Sequence, residues 1–377
     1  MRSFPLFTIS LLIFSTCNLL HAQESHVIID KAVYYDGYAK KVNDTLPSGL
    51  LRLSNYQITT KLSQATLESV FDDITIKVTI NALCDNYDRM GNVNLALVPK
   101  GKSGYHPDSV QHIEVGRFIT PFMNKNKDPK FVEYIFRADN IAKLLRMNAL
   151  KAQYDFWLEL EIFGVPYAAN EQVKGCSGRN DVFEGKVEFI STKVLMIVEE
   201  NTVFQPIAFK HMLNNYEAVK TDTLGKTVKT FEFNVPSETS NAIFYLITSN
   251  HGANENGEEY IRREHFVYID NKEVLKYIPG GKSCEPYRIF NTQGNGIYGR
   301  NPEPDSSWAS WNNWCPGDTI SVREITIRNL SAGKHTFTIS VPDAQFAEKQ
   351  GYFPVSVYLQ GTAQPPKKKR KSSKKRA

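Results

Sequence analysis

"DITIKVTINALCDNYDRMGNVNLALVP", residues 73–99, carries two strand signatures separated by a polar interruption. Ile74, Ile76, Val78 and Ile80 alternate with polar residues, the period-two pattern of a strand with one face buried, and Val93, Leu95 and Leu97 resume it after the break. The same alternation returns at Phe156-Leu158-Leu160-Ile162, Val228 to Val235, Ile243 to Ile247, Ile325-Ile327 and Phe337-Ile339-Val341. One stretch alone has convincing helical spacing, Ile141-Ala142-Lys143-Leu144-Leu145, with Asp139 placed to cap it. Many strands, one short helix and long connections rich in Gly, Asn and Pro predict an all-β chain of jelly-roll antiparallel sandwiches.

With 377 residues and 41% hydrophobic content, the chain can fill two cores. We expect an N-terminal jelly roll over 23–195 and a C-terminal one over 196–362, packed side by side. No short-period repeat suggests a solenoid or propeller. Arg2, the apolar run Leu6 to Leu20 and His21-Ala22-Gln23 have the order of a secretory signal spanning 1–22, cleaved near Ala22. A lipid anchor on Cys17 fits less well, because Phe-Ser-Thr precedes that cysteine. No later run of eighteen apolar residues predicts a membrane span.

Secretion places Cys84, Cys176, Cys284 and Cys315 in an oxidising compartment, where an even count favours disulfides. Three pairings are open, and distance along the chain favours Cys284 with Cys315 and Cys84 with Cys176. The formal charge of +5 is carried by the end of the chain. The tail 363–377 holds eight cations, so without it and Arg2 the Lys and Arg count falls from 45 to 36 against 40 acids. The tail reads as a disordered, solvated segment that attaches non-specifically to polyanions, with no specific nucleic-acid partner.

Four polar islands interrupt the scaffold: Asp85, Asp88 and Arg89; "FWLELEIFG" (156–164); "SNHGANENGEEYIRREHF" (249–266); and "SSWASWNNWCPG" (306–317). Singly, each has a structural explanation. Asp85-Asn86 is turn chemistry, Glu159 and Glu161 share the solvated face of a strand with Trp157, and the Glu/Arg alternation near Glu259 is a surface ion-paired strand. Together they offer carboxylates from separate segments, arginines to hold one ionised, and tryptophan faces suited to a pyranose ring. That set fits hydrolysis of a sugar-linked bond, in which one carboxylate takes a proton from water and another holds or donates one.

"CDNYDRMGNVNLALV" from Cys84 and "IEVGRFITPF" at 113–122 resemble the bacterial peptide-N-glycosidase F family, with "DNIAKLL", "GEEYIRREH" and "NNWCPGD" following in the family's order. The resemblance spans residues 70 to 360. It implies two jelly rolls with a site in the cleft between them, no metal or other cofactor, and a monomeric secreted amidase acting on N-glycoproteins or glycopeptides. Such an enzyme hydrolyses the bond between asparagine and the first N-acetylglucosamine, releasing the glycan and leaving aspartate. Carried over by position, the catalytic acids are Asp88, Glu259 and Glu159, a two-residue slip selecting Glu161 instead. Arg89 would hold Asp88 ionised, and Arg89, Glu161, Trp157, Trp311, Trp314 and Arg300 would contact substrate. Thr79 replaces a family cysteine, Gly257 and Ile261 replace two more, and Cys176 lies in an insertion from which it could reach Cys84. Glu161 stands where the family has tryptophan, and Arg300 is the nearest substitute for an arginine missing between Trp308 and Trp314.

Three rival readings remain. A non-catalytic lectin or adhesin could keep the same fold. A copper-dependent peptide monooxygenase would need paired histidines that the sequence does not show. A cysteine amidase using Cys84 conflicts with oxidation of that thiol.

Overall fold

The computed structural model describes residues 23–71, 73–192, 201–213, 226–252, 257–308, 312–346 and 351–365. Four antiparallel sheets form two sandwiches. In the first, β1 (Gln23–Tyr35), β9 (Asp181–Thr192), β4 (Asp73–Ala82) and β7 (Phe131–Arg137) lie in that spatial order. They face β6 (Gln111–Ile119), β5 (Met90–Pro99), β8 (Tyr154–Ile162), β3 (Gln57–Lys61) and β2 (Leu50–Ser54). In the second, β10 (Thr202–Met212), β18 (Pro354–Ala363), β12 (Thr239–Thr248) and β16 (Arg323–Leu330) face β11 (Val228–Val235), β17 (Gly333–Ser340), β13 (His265–Ile269) and β14 (Lys272–Tyr277). Setting β2 aside, and with it the two-residue β15 (Thr319–Ile320), each sandwich has eight strands in one order. Strands 1-8-3-6 face strands 2-7-4-5, which is the jelly-roll topology.

The alternation that predicts the strands also builds the cores. Ile74, Ile76, Val78 and Ile80 of β4 are fully buried and pack with Val93, Leu95, Leu158, Leu160 and Phe183. Each such side chain contributes about 1.5–3 kcal/mol by leaving water. Phe244, Phe337, Ile339, Val355 and Leu359 fill the second core.

Two local expectations change. Asp139 lies inside the helix Asp139–Arg146 rather than capping it, and its carboxylate instead receives the Ile74 N–H at 3.2 Å and Arg137 Nε at 2.6 Å. Among the described residues there are also four shorter α-helical segments, Gln64–Glu68, Asn148–Gln153, Tyr167–Gln172 and Asp305–Trp308. They are too short for a 3.6-residue period to register.

The larger correction concerns β8. Its apolar face points into the core as expected, but the face carrying Trp157, Glu159 and Glu161 is not solvated. Trp157 and Glu159 are buried, Trp157 under Tyr105 and Val110 of its own sandwich and Glu159 under Tyr105 and His112, while β10 and β18 of the second sandwich pack alongside on β6. Phe209 stacks on His112 at 4.8 Å, Lys210 pairs with Glu161, and Arg117 donates to the Pro354 carbonyl at 2.9 Å. Alternation reports that one face is apolar, and a loop of the same sandwich together with a second domain can still cover the other.

The sandwiches are also tied by exchanged backbone. β15, from the C-terminal half, is the edge strand next to β6, pairing Thr319 with Phe118 and Ile320 with Arg117. Phe122 N donates to Asn291 Oδ1 at 3.0 Å and Phe122 O accepts from Gln293 N at 2.9 Å. The expected domain boundary at 195/196 and the signal segment 1–22 lie outside the described residues, as does the tail from 366 onward. Ala363, the expected head of that tail, is the last rung of β18, opposite Thr239.

Candidate active site

The polar interruption is the loop from β4 to β5, closed by three kinds of bond. Cys84 forms a disulfide with Cys176, and Cys284 forms one with Cys315. Asp85, buried, accepts Arg89 Nε at 2.7 Å, Arg89 Nη2 at 3.3 Å, Tyr87 N at 2.9 Å and Val165 N at 2.8 Å. Thr120 then clamps the rim: Arg89 N donates to its Oγ1 at 2.7 Å, and its own N–H donates to Arg89 O at 2.7 Å. Asp85 is thus the loop residue expected of an Asx turn, with an ion pair added.

Asp88 is left facing a cleft lined also by Glu259, Tyr260, Ile297, Asn312, Trp314 and Pro316. Glu259 arrives from the second sandwich on the tight turn 257–261, in which Tyr260 N donates to Gly257 O at 3.1 Å. The Asn313 side-chain amide holds the turn, donating to the carbonyls of Glu258 at 2.8 Å, Glu259 at 2.7 Å and Ile261 at 3.2 Å. Trp314 Nε1 donates to Asn250 O at 2.9 Å, which fixes the indole as a wall of the cleft.

The two glutamates of the turn diverge. Glu258 is buried, pairs with Arg263 (Nη2 to Oε1, 2.9 Å) and accepts Gln345 N. Glu259 is only half-buried and accepts Gly252 N at 3.2 Å.

Electrostatically the cleft favours a bound proton. Burial, and then the negative charge of Glu259, push Asp88 up to about 8, against the opposing influence of Arg89. The residue keeps some exposed surface, yet protein groups crowd its carboxyl. Burial also raises Glu259, against the Gly252 N–H and the Tyr260 hydroxyl. The expectation that Arg89 keeps Asp88 ionised is therefore overturned. Arg89 is consumed by Asp85, and the desolvation cost of charging Asp88 exceeds what a spent guanidinium returns.

Of the residues expected at the site, Asp88, Glu259 and Trp314 line one cleft, and Arg89 adjoins it. Glu159 does not line it. Its carboxylate is buried, which by itself disfavours the charged form, but bonds from His112 Nε2 at 3.0 Å, Tyr105 OH at 2.6 Å and Asn94 at 3.2 Å prevail and lower its pKa. Glu161 is paired with Lys210 in a separate groove between the sandwiches. Trp157 packs edge-on against Tyr105, buried with no open face for a sugar. Arg300 is exposed and does not line the cleft. Trp311 lies outside the described residues. Tyr260, Asn312 and Ile297 were not anticipated as cleft residues. The first two stand beside Glu259 and Trp314 in the motifs already singled out, and Ile297 carries no sequence signal. Among the described residues no three His, Cys, Asp or Glu side chains are grouped to hold a metal ion, and no helix is long and apolar enough to cross a membrane.

Comparison with known proteins matches both halves. Residues 26–177 match the family model "Peptide-N-glycosidase F, N terminal" and residues 220–360 its C-terminal counterpart. No curated protein sequence matches the chain. Among solved structures, PNGF-II is similar at 20% identity and a TM-score of 0.67, covering 91% of this chain and 66% of its own. Recombinant peptide:N-glycanase F is similar at 15% identity and a TM-score of 0.57, covering 90% of this chain and 96% of its own. PNGase F, described as a glycosylasparaginase from Flavobacterium meningosepticum, is similar at 17% and 0.57, covering 91% and 96%. The chain thus spans just under two thirds of the length of PNGF-II, and these likenesses carry the fold alone.

Proposed function

Because the chain belongs to the peptide-N-glycosidase F family, we propose that it is a secreted amidase that hydrolyses the bond between an asparagine side chain and the first N-acetylglucosamine of an N-linked glycan. The observation that carries this reading is the facing of Asp88 and Glu259, one from each sandwich, across a cleft walled by Trp314. Both carboxyls are raised, Asp88 to about 8 by burial and then by the charge of Glu259, so Asp88 holds its proton at neutral pH while facing a second acidic group. Such a pair can act as base and acid in one cycle.

With the proton resident on Asp88, Glu259 accepts a proton from water as the water oxygen bonds to the amide carbon. Asp88 then protonates the nitrogen as the carbon–nitrogen bond breaks. The products are aspartate and a glycosylamine, whose bond from sugar C1 to nitrogen is then hydrolysed by a second water, giving ammonia and the free glycan. This exchanges the roles expected from the resemblance, where Asp88 activates the water. Tyr260, exposed at the mouth of the cleft, offers a ring face for the sugar, and Trp314, largely buried, forms the wall behind it. Glu159, Glu161, Trp157 and Arg300 do not line this cleft; Glu161 with Lys210 and His112 with Phe209 make the contact between sandwiches. Two disulfides suit an oxidising, extracellular setting.

The test is mass spectrometry of a defined N-glycopeptide treated in heavy-oxygen water. We expect free glycan and an aspartate carrying one oxygen from the solvent. A glycan that is bound but never released supports a lectin on the same fold and overturns the amidase.

A further inference from the structure

Asp88 and Glu259 sit on different domains, so something must fix one relative to the other. Both are reached from one short stretch of β6 and the residue after it, Arg117 to Thr120. Thr120 is fully buried. Its hydroxyl accepts Arg89 N at 2.7 Å and donates to Tyr87 O at 3.3 Å, and its N–H donates to Arg89 O at 2.7 Å. It thereby holds the residues on both sides of Asp88.

Three residues earlier, Arg117 is also fully buried. Its Nε and Nη2 close on both Glu114 oxygens, at 2.8 and 2.7 Å. Its Nη1 crosses to the second sandwich, donating to Ser249 Oγ at 2.7 Å and Pro354 O at 2.9 Å. Glu114, the countercharge, also accepts Asn92 and Ser356, so the crossing arginine is rigid and paired. Ser249 Oγ bonds His251 Nε2 at 2.7 Å. Burial and the Arg117 charge hold His251 down at about 3, so the imidazole is neutral. His251 stacks on Tyr352 at 4.9 Å and pairs with its backbone. The next residue, Gly252, donates its N–H to the Glu259 carboxylate at 3.2 Å and accepts Glu259 N at 3.3 Å.

We propose that Thr120 and Arg117 are positioning residues that set the separation of Asp88 and Glu259, Thr120 directly and Arg117 through Ser249, His251 and Gly252. This rests on the dyad reading above, but its physical content is a distance, which can be measured whether or not the substrate is right. The charged and titratable groups facing Asp88 are Arg89 and Asp85 on its own loop, Glu259 and Tyr260 on the turn, and Tyr298 on the loop beyond. Of these, Glu259 depends on the Arg117 arm.

The test uses Thr120→Val, which keeps the β-branched shape and removes the hydroxyl, Ser249→Ala, which cuts the Arg117 arm without stranding Glu114, and Thr120→Ser, which restores the hydroxyl. Titration of the Asp88 carboxyl by ¹³C NMR, assigned with Asp88→Asn, reads the separation without any substrate. We expect the midpoint to fall by about one pH unit in Thr120→Val and in Ser249→Ala, as Glu259 moves off, and to hold in Thr120→Ser. On a glycopeptide that the wild type cleaves, kcat should fall about 10- to 100-fold in the first two with KM kept within about twofold. An unchanged Asp88 midpoint in folded Thr120→Val and Ser249→Ala overturns the proposal, and so does an equal shift in Thr120→Ser. Loss of activity in the wild type itself would count against the amidase reading and leave the midpoints to decide this one.

Discussion

Arg89 is bound to Asp85 through Nε at 2.7 Å and not to its sequence neighbour Asp88. The guanidinium therefore braces the loop, and Asp85, with four donors on its buried carboxylate, is its keystone. Asp85→Asn cannot accept as strongly and must place an NH₂ among donors. We expect a loss of about 1–3 kcal/mol in denaturant unfolding, with glycan release falling in parallel as the loop loosens.

Asp88→Asn should abolish glycan release and alter stability in the opposite sense. In the folded protein Asp88 keeps its proton up to about 8, whereas the unfolded chain loses it near 4. The folded state binds the extra proton between those values, so this group's contribution falls as pH rises through that window. The variant should melt at least as high as wild type at pH 8, and its difference in Tm between pH 5 and pH 8 should be smaller. A steeper difference in the variant would reverse the assignment.

The pH–rate profile should be bell-shaped. Activity requires one proton on the pair, so it should fall above about pH 8 as Asp88 ionises, and fall on the acid side as Glu259, itself raised, takes a second proton. Glu259→Gln should erase the acid limb together with most of the rate.

Glu258→Gln tests whether adjacent glutamates have separate duties. Glu258 is paired with Arg263 away from the cleft, so its replacement leaves a half-buried guanidinium short of a countercharge. Calorimetry should show a drop in Tm with kcat per folded molecule largely kept. Glu259→Gln should give the reverse, a kept Tm and a lost kcat.

Removing the Cys84–Cys176 bridge by Cys84→Ser with Cys176→Ser frees a loop of 92 residues in the unfolded chain. The cost should be about 2–5 kcal/mol. Because Cys84 precedes Asp85, activity should also become more heat-sensitive than the global melt, as read by residual glycan release after graded heating.

Period two in residues 73–99 and its echoes determined the sheets, because a strand's burial pattern is written in its own residues. The motifs around Asp88, Glu259 and Trp314 marked the cleft, and four cysteines in a chain with a signal-like start marked two bridges. The motif resemblance chose Glu259 over Glu258, but nothing in the sequence showed that Glu258 turns to Arg263 or Arg89 to Asp85, since neighbours in sequence reach opposite surroundings only once a turn is folded. Nor did it show that Tyr105 covers Glu159 and Trp157, or that Lys210 of the second domain pairs with Glu161. Those outcomes were decided by loop packing and by the docking of the two sandwiches, in which Arg117, Thr120 and β15 meet partners far along the chain. A local pattern describes a residue against its own strand, while the charge state of Asp88 depends on what the fold brings to face it.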